Sequence, residues 1–522
     1  MDKELQTSAP TIPQYPVRSQ GECLADKLYV QEKSRMGYWG QYDHFIAERM
    51  QWRASTMRHI FHILPGQKIL EIGAGSGIFT QAMIKVTRNE CPVTAVVFSK
   101  EDAGRAEKTL QGLNAQVKYM DDFPGPIREE KFDYIVAHHM LGDESRNILL
   151  NDVKHLLKPG GAVLFFELNP WNPYYRLRRF IQRLIPIRWR RPAEALSLNH
   201  LQILSVFSET GYTHIHATPY DFLYAPVPRR LLWPAKNLSL IMENCPGIRN
   251  FAGSIYVWAR YAATNAQPRI SRDLAEHAEF AGQVSFVIPC HNEEMNVGPL
   301  VEGLKNFYGK YIHEIIIVDD NSKDQTYAVA QKLAVEDLRV RVVKRSPPNG
   351  VGRALREGIA AAKGEYVLIM DCDFQEIIPE LRDLFDALVK GADVVVGSRF
   401  SRESVLLNYP FTKIIANRAF HFLANILLGK QFRDLTNNLK IFKRTVAQNI
   451  TIEFDDFAAN AETGLKPLLL GYKVAEVPIS WMNRSLVMGF SSFKIMKTGP
   501  NYGRLLFRLL GRRLTRRGFG KL

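Results

Sequence analysis

The chain has 522 residues, of which 46% are hydrophobic and 23% charged, and a formal net charge of +15. This length favours two or three domains, and the composition is that of a folded protein rather than a disordered one. The excess of positive charge favours polyanionic partners such as nucleic acid, an anionic membrane or phosphorylated substrates.

Targeting and anchoring signals are not evident in the chain. Its five cysteines are scattered without paired spacing, which argues against a disulfide framework or a zinc site and suits a reducing cytosol. The polar first thirty residues predict no signal peptide. No stretch reaches the roughly 18 apolar residues of a membrane span, and the run Phe420–Leu428 is interpreted as a core element.

The first part of the chain predicts one α/β domain. Residues 1–35 are interpreted as a flexible lead, and residues 36–66 have helical spacing. A strand, a glycine-rich loop and a helix follow, and strands then alternate with helical stretches. This alternation predicts a doubly wound parallel sheet over residues 36–262. The predicted strands are Lys68–Leu70, Val93–Phe98, Val117–Met120, Tyr134–Ala137 and Ala162–Glu167.

The loop after the first strand carries an acid and three spaced glycines: Glu71, Gly73, Gly75 and Gly77. Glycines at such a turn let the backbone approach a ligand beside a helix N-terminus. The glycine pattern alone is weak evidence, because dinucleotide enzymes use a similar one.

Two later motifs strengthen the interpretation of this loop. Phe132–Val136 reads as a fourth strand, and Leu156–Phe165 as a helix, turn and strand. With the G-x-G-x-G loop, they resemble class I S-adenosylmethionine-dependent methyltransferases over residues 40–260. The resemblance implies a Rossmann-like fold and S-adenosylmethionine as cofactor. It also implies that Glu71 and the three glycines bind that cofactor, and that Asp121 or Asp122 contacts its adenine.

One position departs from the methyltransferase pattern. The family usually ends its second strand with an acid that binds the cofactor ribose, whereas this chain has Val97 there. Glu101 or Asp102 could replace that acid. Otherwise, the cofactor affinity is reduced or the domain is a structural relic.

Methyl transfer from a sulfonium needs positioning, desolvation and sometimes a base. His138, His139 and Glu167 are candidate bases, of which His139 is our predicted catalytic residue. The alternative is that a histidine after a strand only caps the sheet edge.

Residues 263–282 are mostly polar and are interpreted as a linker, after which strands and helices alternate again over residues 283–500. Three segments of this second α/β domain each run from a strand into polar or acidic residues: Val284–Val297, Glu314–Thr326 and Glu365–Gln375. In this order and spacing, they resemble family 2 glycosyltransferases of the GT-A fold. The candidate nucleotide-sugar contacts in the first two segments are Pro289, Glu293, Asp319 and Asp320.

The third segment ends in Asp371-x-Asp373. Two carboxylates on one side of a strand end suit Mg²⁺ or Mn²⁺, which would neutralise a diphosphate leaving group. An isolated D-x-D usually lies in a solvated loop, but here three acid-bearing strand ends occur in the family's order.

Within that family, the chain is most similar to dolichyl- and polyprenyl-phosphate sugar transferases. The resemblance implies a further metal ligand, Gln375, a substrate contact from Asp434, and phosphate contacts from Lys440, Arg484 and Lys494, with Arg484 also in a catalytic role. The segment Asn437–Leu439 departs from the usual small residues, which leaves the acceptor identity open. The processive-synthase signature Q-x-x-R-W is absent, and a lipid phosphate is already anionic, so we expect a polyprenyl phosphate acceptor and inversion at the anomeric carbon.

Two segments mix basic with apolar residues: Tyr174–Trp189 and Tyr502–Leu510, the latter within a basic tail at 501–522. Such helices often lie on anionic bilayers, although a solvated basic face packed on its own domain is an equal alternative. No nucleic-acid module is recognisable, so nucleic acid is not expected as a partner.

These features predict a bifunctional enzyme, cytoplasmic and peripheral to the inner face of the membrane. One domain would transfer a sugar from a GDP- or UDP-sugar to a lipid-linked acceptor, and the other would methylate an intermediate of the same pathway. The alternatives are an active glycosyltransferase with a non-catalytic methyltransferase-like module, or an inactive scaffold of two nucleotide-binding folds. The donor sugar, the methyl acceptor and the oligomeric state are not determined.

Overall fold

The computed structural model describes residues 24–29, 44–142, 145–184, 198–223, 227–261, 273–401, 403–407, 409–482 and 495–514. The predictions for Arg484 and Lys494, and most of those for the flexible lead, lie outside these residues.

The first domain is a seven-stranded sheet with helices on both faces. Its strands are β1 (Ile69–Ile72), β2 (Val93–Val97), β3 (Ala115–Tyr119), β4 (Phe132–His138), β5 (Leu157–Leu168), β6 (Tyr212–Tyr220) and β7 (Ser254–Tyr261). Its helices are α1 (His44–Phe61), α2 (Ile78–Val86), α3 (Lys100–Thr109), α4 (Arg146–Leu156), α5 (Pro173–Leu184), α6 (His200–Glu209) and α7 (Leu232–Glu243).

The strand order in this sheet is β3-β2-β1-β4-β5-β7-β6, in which β1 to β5 are parallel and β7 is antiparallel to both of its neighbours. Every residue of β1 and β2 is buried, as expected for strands covered on both faces. The predicted parallel sheet is therefore confirmed for β1 to β5, and an antiparallel pair extends it.

The second domain is also a seven-stranded sheet, with a separate two-stranded one beside it. Its strands are β8 (Val284–Cys290), β9 (Ile312–Asp319), β10 (Val340–Lys344), β11 (Tyr366–Ile369), β12 (Val394–Ser398), β13 (Val405–Leu407), β14 (Lys440–Lys443), β15 (Val474–Pro478) and β16 (Ser480–Met482). Its helices are α8 (Glu294–Tyr308), α9 (Thr326–Glu336), α10 (Val351–Ala361), α11 (Leu381–Val389), α12 (Phe411–Leu428), α13 (Arg444–Asn449), α14 (Ala458–Leu469) and α15 (Ile495–Leu514).

The order of the second sheet is β10-β9-β8-β11-β14-β12-β15, with β14 antiparallel to both neighbours and β13 paired with β16 in the small sheet. The carboxyl ends of the parallel strands β8, β9 and β11 therefore meet at one edge. The three acid-bearing segments singled out in the sequence follow these strands.

The described half of the predicted linker is part of the second domain's core. Phe280 is fully buried and packs against Tyr311, Tyr366 and Phe385 with ring centroids 4.9 to 5.5 Å apart. One aromatic side chain in a polar sequence gives no periodicity, which is why the pattern there predicted a linker.

The structure distinguishes the environments of two apolar segments that were noted in the sequence. On α15, Leu505, Leu506 and Leu509 are buried in the second domain's core, as the alternative of a helix packed on its own domain predicted. On α12, Phe422 and Ile426 are 65% and 62% exposed, so Phe420–Leu428 is a core element on one face alone. In the described part of the chain, no helix combines the length and hydropathy required to cross a bilayer.

Candidate active sites

The glycine-rich loop of the first domain has the backbone conformation that its sequence predicts. Gly73, Gly75 and Gly77 have φ values of 71°, 56° and 79°, in the left-handed region that favours glycine. A Cβ on Gly77 would also lie 3.2 Å from the Leu110 side chain. Glu71 is 1% exposed and accepts a hydrogen bond from Thr80 at the start of α2.

A pocket opens beside this loop. Its walls come from α1, the glycine-rich loop, the start of α2 and the end of β4, and the lining residues are Ile46, Met50, Arg53, Glu71, Ala74, Ser76, Ile78, Phe79, His138 and His139. The predicted cofactor-binding acid and the predicted base thus line one cavity.

The two histidines have different environments. His138 is 2% exposed and stacks on Phe166 with ring centroids 5.0 Å apart. His139 has a φ of 55°, and its backbone N–H donates to the Phe166 carbonyl at 2.8 Å. Glu167 is buried and accepts backbone hydrogen bonds from Met140 at 2.9 Å and Leu141 at 3.2 Å. Glu167 therefore holds the loop after β4.

The remaining acids of this domain are less enclosed. Asp121 and Asp122 follow β3 and are exposed. Val97 ends β2 and is fully buried, as its apolar side chain requires. Glu101 is 73% exposed and pairs with Arg105 on its own helix, whereas the side chain of Asp102 is 13% exposed. Of the two substitutes considered for the missing ribose-binding acid, Asp102 is the more enclosed.

Two buried arginines beside the pocket were not predicted from sequence. Arg49 pairs with Asp221, and Arg53 donates to Ser254 Oγ at 2.8 Å and lies over the Phe166 ring. Burial, with a contribution from Arg49, lowers the pKa of Arg53 to about 10, although Asp221 opposes this. The helical spacing of the sequence identified only the apolar positions of α1. The burial of Arg49 could not be predicted, because its partner Asp221 lies far along the chain.

In the second domain, Asp371 and Asp373 follow β11 at the shared sheet edge and are both half-buried. Asp371 Oδ1 accepts a hydrogen bond of 2.6 Å from Asn438 Nδ2. Asn438 is 1% exposed, and its Oδ1 has no hydrogen-bond partner among the described residues. Asn438 was noted in the sequence only as a departure from the family pattern, and the structure places it against the D-x-D motif.

Gln375 and Glu293 are joined through Asn296 at the start of α8. Gln375 Nε2 lies 3.1 Å from Asn296 Oδ1 and 3.2 Å from the Asn296 carbonyl oxygen, and Asn296 Nδ2 donates to Glu293. The structure thus brings two of the predicted site residues into one network. In this arrangement, the amide nitrogen of Gln375 faces α8.

Asp319 ends β9 and Asp320 follows it, and the two side chains have different partners. Asp319 Oδ1 accepts from Ser322 N at 3.2 Å, while its Oδ2 is buried and has no partner in the described parts of the chain. Asp320 pairs with Arg345 and accepts from Gly350 N at 2.6 Å. Asp320 therefore ties two loops together, and Asp319 retains an unused acceptor. Pro289 is half-buried in β8 beside them.

The structure places Asp434 and Lys440 in the interior of the second domain. Both are fully buried. Asp434 binds Arg399 through contacts of 2.7 and 3.0 Å, and although burial alone would raise its pKa, Arg399 holds the pKa of this carboxyl well below its usual range.

Lys440 donates to the backbone carbonyls of Asn437 and Asn460, and burial lowers the pKa of its ammonium to about 7. The phosphate contact of Lys440 and the substrate contact of Asp434 stay predictions. The family motif indicated an acidic and a basic residue at these two positions. It did not indicate that both side chains are buried, which their hydrogen-bond partners make possible.

The metal-binding potential of this edge rests on two carboxylates. Within the described ranges, no group of three or more His, Cys, Asp and Glu side chains is arranged to hold a metal ion. Asp371 and Asp373 are hard oxygen donors, the kind that Mg²⁺ and Mn²⁺ prefer.

Comparisons with known proteins match both domains. The family model for glycosyl transferase family 2 matches residues 285–451, and a model for a methyltransferase domain matches residues 69–161. These matches confirm a Rossmann-like methyltransferase domain followed by a GT-A glycosyltransferase domain.

Two curated relatives align with the second domain. A polyprenol monophosphomannose synthase of Mycolicibacterium smegmatis is 31% identical over 207 residues, which are 38% of this chain and 77% of the relative. A dolichol-phosphate mannosyltransferase of Pyrococcus furiosus is 29% identical over 233 residues, 44% of this chain and 64% of the relative.

Among solved structures, glucosyl-3-phosphoglycerate synthase of Mycobacterium tuberculosis in complex with UDP is 20% identical. It covers 47% of this chain and 86% of its own, with a TM-score of 0.36.

Proposed function

This chain belongs to glycosyl transferase family 2, and we propose that its C-terminal domain transfers a sugar from a GDP- or UDP-sugar to a polyprenyl phosphate or another lipid-linked acceptor. The observation that carries this proposal is the D-x-D pair at the sheet edge where Asp319 and Glu293 also lie. The names of the two curated relatives support the acceptor class.

We propose that Asp371 and Asp373 hold Mg²⁺ or Mn²⁺. Mg²⁺ is commonly bound by one or two carboxylates together with substrate phosphates, so two carboxylates fit such an ion. When bound, the ion neutralises the charge of the departing diphosphate. Asn438 fixes the orientation of Asp371 through their 2.6 Å hydrogen bond.

In the proposed reaction, an acceptor phosphate oxygen forms a bond to the anomeric carbon as the bond to the diphosphate breaks. An anionic phosphate needs no base, so the residues of the chain bind and orient the two substrates. Glu293 and Asp319 are proposed to contact the nucleotide, and attack opposite the leaving group inverts the anomeric carbon.

A panel of nucleotide-sugars tests this proposal. The full chain is incubated with each GDP- or UDP-sugar and Mn²⁺ or Mg²⁺, with and without polyprenyl phosphate. We expect release of the nucleoside diphosphate that depends on the metal and increases with the lipid phosphate. Turnover of no donor under any of these conditions would overturn the proposal.

For the N-terminal domain, we propose binding of S-adenosylmethionine and methylation of a sugar or lipid intermediate of the same pathway. The methyl group would pass from the sulfonium to an acceptor oxygen, S-adenosylhomocysteine would leave, and His139 would take the proton. The support is a pocket in which Glu71, the glycine-rich loop and His139 meet.

The alternative, a non-catalytic module that binds a partner or a membrane, is favoured by Val97, which leaves no carboxylate at the end of β2. Calorimetry separates the two proposals. Binding of S-adenosylmethionine supports the methyltransferase, and no heat of binding at millimolar ligand would eliminate it.

We further propose that the enzyme docks peripherally on the cytoplasmic face of an anionic membrane. Exposed apolar side chains lie on α5, where Leu177 and Phe180 are 58% and 59% exposed, and on α12, whose C-terminal end is followed by the exposed Lys430 and Arg433. Apolar side chains beside basic ones suit the interface of an anionic bilayer. Flotation with anionic and neutral vesicles tests this, and equal binding to both would contradict it.

A further inference from the structure

One helix of the methyltransferase domain lines the pocket of that domain and also contacts the glycosyltransferase domain. Ile46, Met50 and Arg53 in the first half of α1 line the pocket of the first domain. Arg58 and His59, at the other end of the same helix, contact the glycosyltransferase domain. Helix α1 thus forms part of the interface between the two domains. Leu64, just after this helix, packs in the core of the second domain, so the interface also joins the two cores.

The contact made by His59 is the most enclosed of these. His59 Nδ1 lies 2.7 Å from Glu380 Oε1, and each residue is 3% exposed. Glu380 Oε2 also accepts from Ser480 N at 2.8 Å, and the Ser480 hydroxyl donates to the same carboxylate. Glu380 therefore connects α1, the end of its own 3-10 helix and β16.

This 3-10 helix begins directly after the D-x-D motif. It spans Phe374–Glu380, and Asp373 is the residue that precedes it. Gln375 in its first turn is held by Asn296, and Phe374 packs edge-on against Trp481 of β16 at 5.2 Å. A single short helical segment therefore connects Asp373 to Glu380.

A carboxylate in this environment requires its partners. Burial alone would raise the pKa of Glu380, but the adjacent His59, with His62 and Ser480, lowers the pKa to about 2. Removal of the His59 ring nitrogen would leave the buried Glu380 carboxylate with fewer hydrogen-bond partners. Protonation of the carboxylate or movement of the 3-10 helix would lower the resulting free-energy cost.

We propose that His59 of the methyltransferase domain is a positioning residue of the glycosyltransferase site. It acts through Glu380 on the 3-10 helix that follows Asp373. The inference rests on the proposed function of the second domain and adds that the first domain completes the second one's donor site.

The test measures binding of UDP or GDP with Mn²⁺ to the full chain by calorimetry, alongside turnover. His59→Leu removes the donor, whereas His59→Asn places an amide nitrogen near the position of Nδ1. His59→Gln places its amide nitrogen farther out. We expect His59→Leu and His59→Gln to weaken nucleotide–Mn²⁺ binding about tenfold and His59→Asn to restore it to within about threefold.

A matched control distinguishes positioning from general loosening of the interface. Arg88 pairs with Asp386 at 2.6 Å and with Asp383, both on α11 and beyond the end of the 3-10 helix. We expect Arg88→Gln to bind the nucleotide as the wild type does. Equal weakening by Arg88→Gln, or an unchanged affinity in folded His59→Gln, would overturn the inference.

The asparagine and glutamine variants keep the test decisive if His59→Leu fails to fold, because both retain a polar side chain at a buried position. Absence of nucleotide–Mn²⁺ binding in the wild type would instead overturn the proposed function and this inference with it. That result is distinct from wild-type binding that no His59 variant alters.

Discussion

The two candidate sites are assembled over very different distances along the chain. In the first domain, Glu71 is held by Thr80, nine residues away, and the three glycines of the loop lie between them. In the second domain, Asp371 is held by Asn438, 67 residues away, and Gln375 by Asn296, 79 residues away. A compact motif thus describes the first site well, whereas the second depends on how separate segments pack.

The largest expected effect is on the second site. Asp373→Ala removes one of two metal-binding carboxylates, and we expect sugar transfer to fall by about 10³-fold because the diphosphate charge is no longer neutralised. Turnover is measured with the donor found in the panel. Glu302→Ala, an exposed acid on α8, serves as the control. Unchanged turnover in Asp373→Ala would show that this carboxylate does not hold the metal ion.

We expect the free energy of unfolding to depend on pH because of Glu380, which lies where the two domains meet. The pKa of Glu380 falls from its ordinary 4.5 to about 2 on folding, so its contribution is present above pH 4.5 and is lost as the pH falls towards 2. A shift of this size corresponds to about 3 kcal/mol in the free energy of unfolding.

This pH dependence is measured as the difference in unfolding free energy between the wild type and Glu380→Gln. We expect that difference to shrink between pH 5 and pH 2, because the amide does not titrate. A constant difference over this range would show that Glu380 has an ordinary pKa in the folded protein.

A smaller effect is expected from the charge of the first site. Glu71→Gln keeps the shape of the side chain and its acceptor for Thr80 but removes the charge that would face the cofactor's ammonium group. We expect affinity for S-adenosylmethionine to fall about tenfold in calorimetry, as for loss of a hydrogen bond between charged groups. Sugar transfer should not change, and a parallel loss of both activities would mean that the sites are not separable.

The smallest expected effect concerns the surface. Phe180→Ser removes an exposed apolar side chain from α5, and we expect binding to anionic vesicles to fall a fewfold because one interfacial anchor is lost. Val335→Ser on α9, where the valine is 84% exposed, is the matched control. If both variants bind as the wild type does, α5 does not contact the membrane.

The strands of both sheets could be predicted because each is a short apolar run with a polar boundary. The predicted strand Val93–Phe98 differs from β2 by one residue, and β4 extends the predicted strand Tyr134–Ala137 by one or two residues at each end. The antiparallel pairing of β7 between β5 and β6 was not predicted, because an apolar run does not specify its direction or its neighbours. Burial of Lys440 was missed for a related reason, since its carbonyl partners are set by loop packing.

The sequence by itself determined the two α/β domains, the glycine-rich loop and the acids at the strand ends, because these depend on residues close together in the chain. Only the tertiary structure decided that α15 buries its leucines while α5 exposes its apolar side chains. It alone brought His59 to Glu380, 321 residues away. Local motifs depend on backbone conformation and strand ends, whereas burial and long-range partners depend on which surfaces pack together.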